Sequence, residues 1–336
     1  MAYVLNSSFA SLTTLRVGGT PTRTIACGNA EELASTVAEL DAAGSPLLVV
    51  GGGSNLLVAD GQLDFTAVLV RNEGITLVDD TTVRAAAGTE WDAVVAYAVE
   101  QGLGGIEALS GIPGSAGATP VQNVGAYGSE ISDVLTRVRL YNRETGADEW
   151  VPAQSLELAY RYSNLKFTHR ALVLEIELRL EPTELSIPLR HLGGKRVSLA
   201  EARESVLATR RAKGMVLDAA DHDTWSAGSF FTNPIVPAEL ADAVEAQVGE
   251  AGMPRFPQPD GSVKLSAAWL IERAGFPRGY PGPTAPARLS TKHTLALTNR
   301  GSASAADIVE LARAVQAGVE NRFGVRLHPE PVWVGL

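Results

Sequence analysis

A serine between a glycine and two phenylalanines is the first candidate for chemistry in this sequence. Ser229 lies in the run GSFFTNP at positions 228–234. The run is not the Gly-x-Ser-x-Gly elbow of α/β-hydrolases, and no His and Asp partners for a nucleophile are evident. A positioned hydroxyl can also donate a proton to a substrate. The residue types therefore leave Ser229 as either a proton donor or a buried structural serine.

Two charged residues have sequence neighbours that would hold their side chains in one orientation. Arg161 lies between Tyr160 and Tyr162, where a planar guanidinium can be held and directed at a carboxylate or a developing enolate. Glu330 lies between two prolines near the C-terminus, which restricts the backbone that carries its carboxylate. Each residue taken alone is also typical of an ordinary surface charge.

Two glycine-rich segments could hold a flat cofactor. The run GGGSN at positions 51–55 follows a predicted buried strand, so its main-chain N–H groups can approach a phosphate. It lacks the lysine of a P-loop and the spacing of the dinucleotide fingerprint, and a tight structural turn is the alternative. The second segment, at positions 111–128, combines small residues with Gln122, Asn123 and Tyr127, which could orient a ligand. A loop that packs two domains together is the alternative there.

The composition narrows the class of protein. The chain has 336 residues, of which 45% are hydrophobic and 20% charged, as in a folded protein of two or three domains. A net charge of −10 disfavours nucleic acid and membrane surfaces as partners, so an anionic ligand needs a local group of cations. Cys27 is the single cysteine, and no signal peptide or transmembrane segment is evident. We therefore expect a cytoplasmic protein with no metal site and no obligate protein partner.

The hydrophobic periodicity predicts an α+β chain in three blocks. We expect helices at residues 31–43, 90–100, 238–250, 265–274 and 305–323, and another that begins with a capping box at Ser198 and runs to Lys213. Strands are expected at residues 47–50, 67–71, 83–87, 135–141, 172–180, 294–298 and 332–334.

In combination and in this order, the motifs resemble the UDP-N-acetylenolpyruvoylglucosamine reductases, flavin enzymes of bacterial cell-wall precursor synthesis. The resemblance extends from LRVGG at positions 15–19 to Glu330 and covers nearly the whole chain. It implies a vanillyl-alcohol-oxidase-type (PCMH-type) FAD-binding fold of two α/β subdomains with a third, substrate-binding α+β domain. The implied boundaries are residues 1–72 for the first FAD-binding subdomain, joined by a strand at 331–336, then 73–208 for the second and 209–330 for the third.

The resemblance also implies a reaction. NADPH reduces non-covalently bound FAD, and the enolpyruvyl ether of UDP-N-acetylglucosamine then takes a hydride from flavin N5 at C3 and a proton at C2. The product is UDP-N-acetylmuramate. In this comparison Ser229 matches the general acid, and Arg161 and Glu330 match the residues that stabilise the enolate-like intermediate.

Further residues match binding positions of the family. The substrate-binding set is Tyr160, Lys213, Asn233, Lys264 and His293. The FAD-binding set is Gly51, Gly52, Gly53, Ser54, Asn55, Pro113, Gly114, Ser115, Gly117, Ala118, Gln122, Asn123, Gly125, Ala126 and Tyr127. One departure concerns the lid over the substrate diphosphate, where members often have a tyrosine and this chain has His191 in the run PLRHLGG at positions 188–194.

Two other functions remain open at this point. One is a flavin oxidase of the same fold family, although the chain has no histidine before His169 that could attach FAD covalently, and Cys27 lies outside the glycine-rich segments. The other is a non-catalytic relative that binds UDP-sugars. The presence of Ser229, Arg161 and Glu330 together disfavours it.

Overall fold

The computed structural model describes residues 2–249 and 252–336. Its α-helices are α1 Phe9–Leu12, α2 Ala30–Ala42, α3 Trp91–Glu100, α4 Leu199–Ala212, α5 Ala238–Val248, α6 Ala267–Arg273 and α7 Ala305–Phe323. Its first ten strands are β1 Tyr3–Leu5, β2 Thr20–Cys27, β3 Leu47–Val50, β4 Leu56–Val58, β5 Gln62–Val70, β6 Ile75–Asp79, β7 Thr82–Ala86, β8 Leu103–Gly104, β9 Gly125–Ala126 and β10 Ser129–Glu130. The others are β11 Leu135–Asn142, β12 Asp148–Pro152, β13 Ala171–Arg179, β14 Glu181–Pro182, β15 Ile235–Val236, β16 Arg255–Pro257, β17 Val263–Leu265, β18 Ala287–Leu289, β19 Leu297–Asn299 and β20 Val332–Val334.

Capping signals place the helix ends where the sequence predicts them. The side chain of Ser198 accepts from the N–H of Glu201, and the carboxylate of Glu201 accepts in return from the N–H of Ser198, which confirms the capping box of α4. Ser304 begins α7 in the same way, and Gly324 ends it in a left-handed conformation. Helix α5 ends at Val248, and its predicted end at residue 250 lies outside the described residues.

The chain divides into two compact units, each made of separate stretches of sequence. The first unit consists of the segment up to Ser8, Thr20–Gly53 and Gln62–Val216. The second consists of Phe9–Gly19, Ser54–Gly61 and Leu217–Leu336. The finer division into three domains stays a prediction.

The first unit contains two main sheets. A four-stranded sheet has the order β1-β2-β5-β3, in which β2, β5 and β3 are parallel. An antiparallel five-stranded sheet has the order β12-β11-β13-β7-β6. Helices α2 and α3 contribute to one buried core with these sheets, through Leu33 and Val37 of α2 and Trp91 and Val94 of α3. Burial of this apolar surface is the main source of the unit's stability.

The second unit is organised around α7. Its core includes Ile308, Ala312 and Val315 from one face of this helix, together with Leu270 of α6 and Leu57 of β4. A three-stranded sheet has the order β15-β17-β16, and a hairpin joins β18 and β19. The strand β20 pairs in parallel with β4, so the early segment Ser54–Gly61 is tied to the end of the chain.

Candidate active site

The two glycine-rich segments meet in the first unit. A Cβ on Gly52 would lie 2.6 Å from the Cα of Gly114, and a Cβ on Gly51 would overlap the Oγ of Ser115. Glycine is required at position 52 because the main chains of the two loops approach each other this closely, and at position 51 a larger residue would have to displace the hydroxyl of Ser115. The structure thus brings together the two segments that the sequence analysis treated separately.

Main-chain N–H groups of these loops can receive an anion. Within the described residues, the N–H groups of Gly52, Gly53 and Gly114 donate no hydrogen bond to the protein. Gly53 is buried and left-handed, with φ of +63°, a conformation common in anion-binding nests. Arg71 adds a cation that donates to the carbonyl oxygen of Gly51 at 3.2 Å. Unpaired N–H groups next to a guanidinium suit a pyrophosphate, so these residues fit FAD.

The second glycine-rich segment is held mainly by contacts within the protein. The N–H of Gly117 donates to Ala87 at 2.9 Å, and a Cβ on Gly117 would overlap Ala87. Asn123 and Tyr127 both have left-handed backbones, with φ of +47° and +52°. Such conformations are uncommon outside glycine and mark a segment whose shape is fixed by its surroundings. Contacts to FAD stay predictions for every residue of the two segments, including Ser54, Pro113, Ser115, Ala118, Gln122, Gly125 and Ala126.

Arg161 lies in a tight turn of the first unit. Reciprocal main-chain hydrogen bonds close the turn at residues 159–162, and Arg161 itself is left-handed, with φ of +55°. Its guanidinium donates to the carbonyl oxygens of Gly125 at 2.6 Å and Asn123 at 3.4 Å. The guanidinium carbon lies 5.3 Å from the ring centroid of Tyr160. These contacts fix the plane of the guanidinium, as the aromatic setting of Arg161 predicts.

A second group of polar residues in the same unit lies around the ring of Tyr127. The Nζ of Lys213, just after α4, lies 6.0 Å from the ring centroid of Tyr127. The ring of His191 packs against Tyr127 with centroids 5.0 Å apart, and its Nε2 bonds the Oγ of Ser205 at 2.9 Å. Burial and the nearby charge of Lys213 lower the pKa of His191, so its imidazole is neutral near pH 7.

Arg210 belongs to this group and was missed by the sequence analysis. Its guanidinium donates to the carbonyl oxygen of Met215 at 2.8 Å. Burial lowers its pKa, partly offset by the hydroxyl of Tyr127 and the charge of Asp92. The sequence shows Arg210 only as one of two adjacent arginines at a helix end, which is the pattern of an exposed charge. Arg210 is instead half-buried, with its Nε fully buried, and this placement follows from packing that the helical period alone does not reveal.

Ser229 and Glu330 lie on two paired segments of the second unit. Phe231 and Pro329 form an isolated antiparallel bridge, and the N–H of Glu330 donates to the carbonyl oxygen of Phe230 at 2.9 Å. Phe230 and Phe231 are 0% and 1% exposed, so the segment of Ser229 is anchored in the core. Main-chain pairing thus brings a serine and a glutamate from distant parts of the sequence to neighbouring positions.

Asn55 supports the Glu330 segment from the other side. Its side-chain amide donates to the main-chain carbonyl oxygen of Glu330 at 3.3 Å, and its main-chain carbonyl oxygen accepts from the N–H of Val332 at 2.9 Å. The prediction that Asn55 binds FAD stays a prediction, and its contacts in the second unit show a structural role as well.

The predicted substrate-binding residues of the second unit lie on different elements. The Oδ1 of Asn233 accepts from the N–H of Ala267 at 2.9 Å, at the first residue of α6. Lys264 lies on β17, the central strand of the three-stranded sheet. His293 lies in the turn between β18 and β19, where its N–H donates to the Oγ of Ser290 at 3.2 Å. Their role in binding stays a prediction.

A buried carboxylate that the sequence analysis missed anchors the turn of His293. Asp223 accepts from the N–H and hydroxyl of Thr291 at 2.9 and 2.6 Å and from Arg300 at 2.8 Å. Burial raises the pKa of Asp223, but the hydrogen bonds from Thr291 and the charge of Arg300 outweigh it and hold the pKa below its ordinary value. The carbonyl oxygen of Leu295 in this turn accepts from Phe230 at 2.8 Å, next to Ser229.

In residues 2–249 and 252–336, no group of three or more His, Cys, Asp and Glu side chains is placed to hold a metal ion. None of the helices in this part of the chain has the length and apolar character needed to cross a membrane.

Comparison with known proteins places these observations in a family. Residues 21–147 match a model described as FAD binding domain, and residues 219–334 match the C-terminal domain of UDP-N-acetylenolpyruvoylglucosamine reductase. The chain is 59% identical to UDP-N-acetylenolpyruvoylglucosamine reductase 2 of Corynebacterium glutamicum, covering 98% of this chain and 93% of the relative. It is 57% identical to the reductase of Corynebacterium diphtheriae, covering 98% and 89%. The crystal structure of the Thermus caldophilus reductase superposes with a TM-score of 0.70 at 25% identity, covering 99% and 100%.

The FAD-binding domain and the cofactor-compatible glycine loops define a FAD-dependent oxidoreductase, and the predicted α+β flavin-binding fold is confirmed. The chain belongs to the UDP-N-acetylenolpyruvoylglucosamine reductase family.

Proposed function

We propose that this chain catalyses the NADPH-dependent reduction of UDP-N-acetylglucosamine enolpyruvate to UDP-N-acetylmuramate in peptidoglycan synthesis. The observation that carries the proposal is the pairing of the Ser229 and Glu330 segments inside the region that matches the reductase C-terminal domain. Curated relatives that share more than half of the residues of this chain carry the name of this reductase.

The reaction adds two electrons and a proton at C3 and a second proton at C2 of the enolpyruvyl ether. FAD, when bound, supplies the transfer of electrons from NADPH to the substrate. Addition at C3 leaves negative charge at C2 that spreads onto the adjoining carboxylate, and cationic hydrogen-bond donors stabilise such charge. We assign this role to Arg161, because its guanidinium is held in one orientation by Gly125 and Tyr160.

Ser229 is the proton donor in this proposal. A serine hydroxyl is a weak acid in water and is effective only when it is held within hydrogen-bond reach of the carbon that receives the proton. The flanking phenylalanine core and the main-chain bridge to Pro329 supply that rigidity. Glu330, whose main chain is fixed by Phe230 and Asn55, is also assigned to the stabilisation of the intermediate.

The partners of the proposal are NADPH and the UDP-sugar, bound with the help of Lys213, Asn233, Lys264, His293 and Tyr160. Each ligand is an anion, and the chain carries a net charge of −10, so local cations must offset the overall charge. We place the reaction in the cytoplasm, because both ligands are nucleotides of cytoplasmic metabolism. No nucleic acid, membrane or protein partner forms part of the proposal.

The visible spectrum and the substrate dependence of NADPH oxidation test this function. We expect flavin absorption bands in the purified protein, FAD released into the supernatant on denaturation, and NADPH oxidation that requires the enolpyruvyl substrate. UDP-N-acetylglucosamine without the enolpyruvyl group serves as the matched control and should support no turnover. NADPH oxidation at the same rate with either sugar, or oxygen consumption with a simple alcohol, would exclude the proposed reaction.

A further inference from the structure

We propose that Asn123 is a positioning residue for Arg161 and does not bind FAD through its side chain. The proposal rests on the proposed function for the role of Arg161 in the reaction, and on the structure alone for the contacts of Asn123. It replaces the cofactor contact that the sequence resemblance implies for this residue.

The side-chain amide of Asn123 is engaged inside the protein at both its nitrogen and its oxygen. Its Nδ2 donates to the Oε2 of Glu130 at 2.9 Å and to the carbonyl oxygen of Ala159 at 3.0 Å. Its Oδ1 accepts from the N–H of Ser132 at 3.1 Å. An amide nitrogen has two hydrogens, and both are engaged here. Asn123 is also only 1% exposed, so no further ligand can reach its side chain.

The same residue contacts the Arg161 turn at two places. The hydrogen bond from the Asn123 side-chain amide to the carbonyl oxygen of Ala159 holds the first residue of the turn at 159–162. The main-chain carbonyl oxygen of Asn123 accepts from the guanidinium of Arg161 at 3.4 Å, beside the shorter bond to Gly125. Asn123 therefore fixes both the backbone that carries Arg161 and one end of its side chain.

The backbone of the turn needs such support. Arg161 has φ of +55°, a left-handed conformation that is strained for a non-glycine residue. Other anchors act on the same segment, since the Oγ of Ser163 donates to Val121 and the Nζ of Lys166 donates to the carbonyl oxygen of Arg161 at 3.2 Å. Asn123 differs from these anchors because it touches the guanidinium as well as the turn.

The reason Asn123 matters for the reaction is geometric. A guanidinium that stabilises charge developing at C2 must be held in place before the charge appears. A displacement of about 1 Å at a positioning group can cost on the order of 100-fold in rate. Loss of the Asn123 amide would leave the carbonyl oxygen of Ala159 and the carboxylate of Glu130 without this donor and release one side of the turn.

The test compares Asn123→Ala with the wild-type protein in two ways. Stopped-flow absorbance should show flavin reoxidation by the enolpyruvyl substrate slowed on the order of 10- to 100-fold, with flavin content and reduction by NADPH nearly unchanged. Hydrogen exchange of the main-chain amides at residues 159–163 should accelerate in the same variant. This second readout needs no substrate, so it decides the positioning role even if the proposed reaction is wrong.

A double variant separates positioning from general destabilisation. If Asn123 acts through Arg161, adding Asn123→Ala to Arg161→Lys should slow reoxidation by no more than about threefold beyond Arg161→Lys alone. The matched control is Asn142→Ala, which removes the Oδ1 that accepts hydrogen bonds from the main-chain N–H groups of Glu144 and Thr145 in a hairpin of the same unit. It should leave reoxidation and exchange at residues 159–163 unchanged.

Three results would overturn the proposal. They are loss of FAD from Asn123→Ala, multiplicative losses in the double variant, and unchanged exchange at residues 159–163. If Asn123→Ala does not fold, Asn123→Asp takes its place in each measurement. The aspartate keeps the shape of the side chain, cannot donate to Ala159 when ionised, and repels the carboxylate of Glu130.

Discussion

The segments that carry Arg161 and Ser229 are held in place by different kinds of bond. Main-chain hydrogen bonds close the Arg161 turn itself, but the bonds that hold the turn in place come from side chains: the amide of Asn123, the hydroxyl of Ser163 and the ammonium of Lys166. Around Ser229 they are main-chain hydrogen bonds from Phe230 to the carbonyl of Leu295 and from Glu330 to the carbonyl of Phe230.

The difference has a consequence for mutation. A main-chain hydrogen bond survives most substitutions, whereas a side-chain anchor is lost with its residue. The Arg161 turn should therefore be sensitive to changes at residues that never touch a ligand. In the Ser229 segment, substitutions should have large effects mainly at Ser229 itself and at residues whose side chains hold neighbouring turns in place.

The largest effect is expected from Ser229→Ala. Loss of a positioned proton donor typically costs about 10²- to 10⁴-fold, and the loss should fall on flavin reoxidation by substrate. Reduction of the flavin by NADPH precedes the need for this proton and should remain nearly intact. Stopped-flow absorbance resolves the two half-reactions. A comparable loss in the NADPH half-reaction would mean that Ser229 is structural.

Arg161→Lys should be next in size, although it keeps the charge. A lysine donates from a single, non-planar ammonium, which does not reproduce the two bonds from separate guanidinium nitrogens to Gly125 and Asn123 or the stacking on Tyr160. We expect turnover to fall roughly 10- to 100-fold, from the loss of charge-assisted hydrogen bonds worth about 1.5–3 kcal/mol. Steady-state rates with saturating NADPH measure the effect. Turnover within threefold of wild type would place Arg161 outside the chemistry.

Asp223→Asn tests whether the second unit also depends on one side chain. Removing the buried carboxylate that bonds Thr291 and Arg300 should destabilise the protein by about 1–3 kcal/mol at pH 7, measured by urea unfolding. The pKa of Asp223 is lowered in the folded protein, so its carboxylate stabilises the fold at pH values above the ordinary aspartate range. This stabilisation is lost as the pH falls through the lowered pKa. The difference between wild type and variant should therefore shrink below about pH 4.

Asp221→Asn is the control for this pH dependence. Asp221 pairs with Lys292 in a more exposed position, so its replacement should change stability less. An Asp223→Asn variant that unfolds like Asp221→Asn at every pH would show that the Asp223 network does not support the second unit.

The smallest effect is expected from Thr232→Val, next to the Ser229 segment. The hydroxyl of Thr232 bonds the carbonyl oxygen of His328 at 3.4 Å, but its main-chain N–H reaches the same oxygen at 3.0 Å. Valine keeps the branched shape and the main-chain bond, so we expect turnover within about threefold of wild type. A loss as large as that of Asn123→Ala would remove the distinction between the two segments.

Local sequence signals predicted the helices and strands better than they predicted the contacts of the site. Helix α7 is Ala305–Phe323 as predicted, because Ser304 and Gly324 are strong start and stop signals. Strand β2 was missed, since Pro21 and several polar residues in Thr20–Cys27 conceal a strand that forms by parallel pairing with β5.

The contacts of the candidate site depended on features that leave little trace in the sequence. The residues around Arg161 give no signal for a left-handed backbone conformation at an arginine, so the Arg161 turn and its support by Asn123 could not be predicted. The bridge between Phe231 and Pro329 joins residues far apart in the chain, which no local pattern encodes. Arg161, Ser229 and Glu330 were nevertheless identified as candidates, because the motifs around them resemble those of a known family.

The pairing of β4 with β20 has a consequence for the order in which the protein is made. Synthesis runs from the N-terminus, so β4 emerges from the ribosome long before β20, its partner in the parallel pair. All three stretches of the first unit are complete at Val216, while the second unit still lacks Leu217–Leu336. Until Val332–Val334 is synthesised, the edge of β4 that pairs with β20 has no strand partner. A nascent chain at this stage presents an edge to which strands of other chains can add.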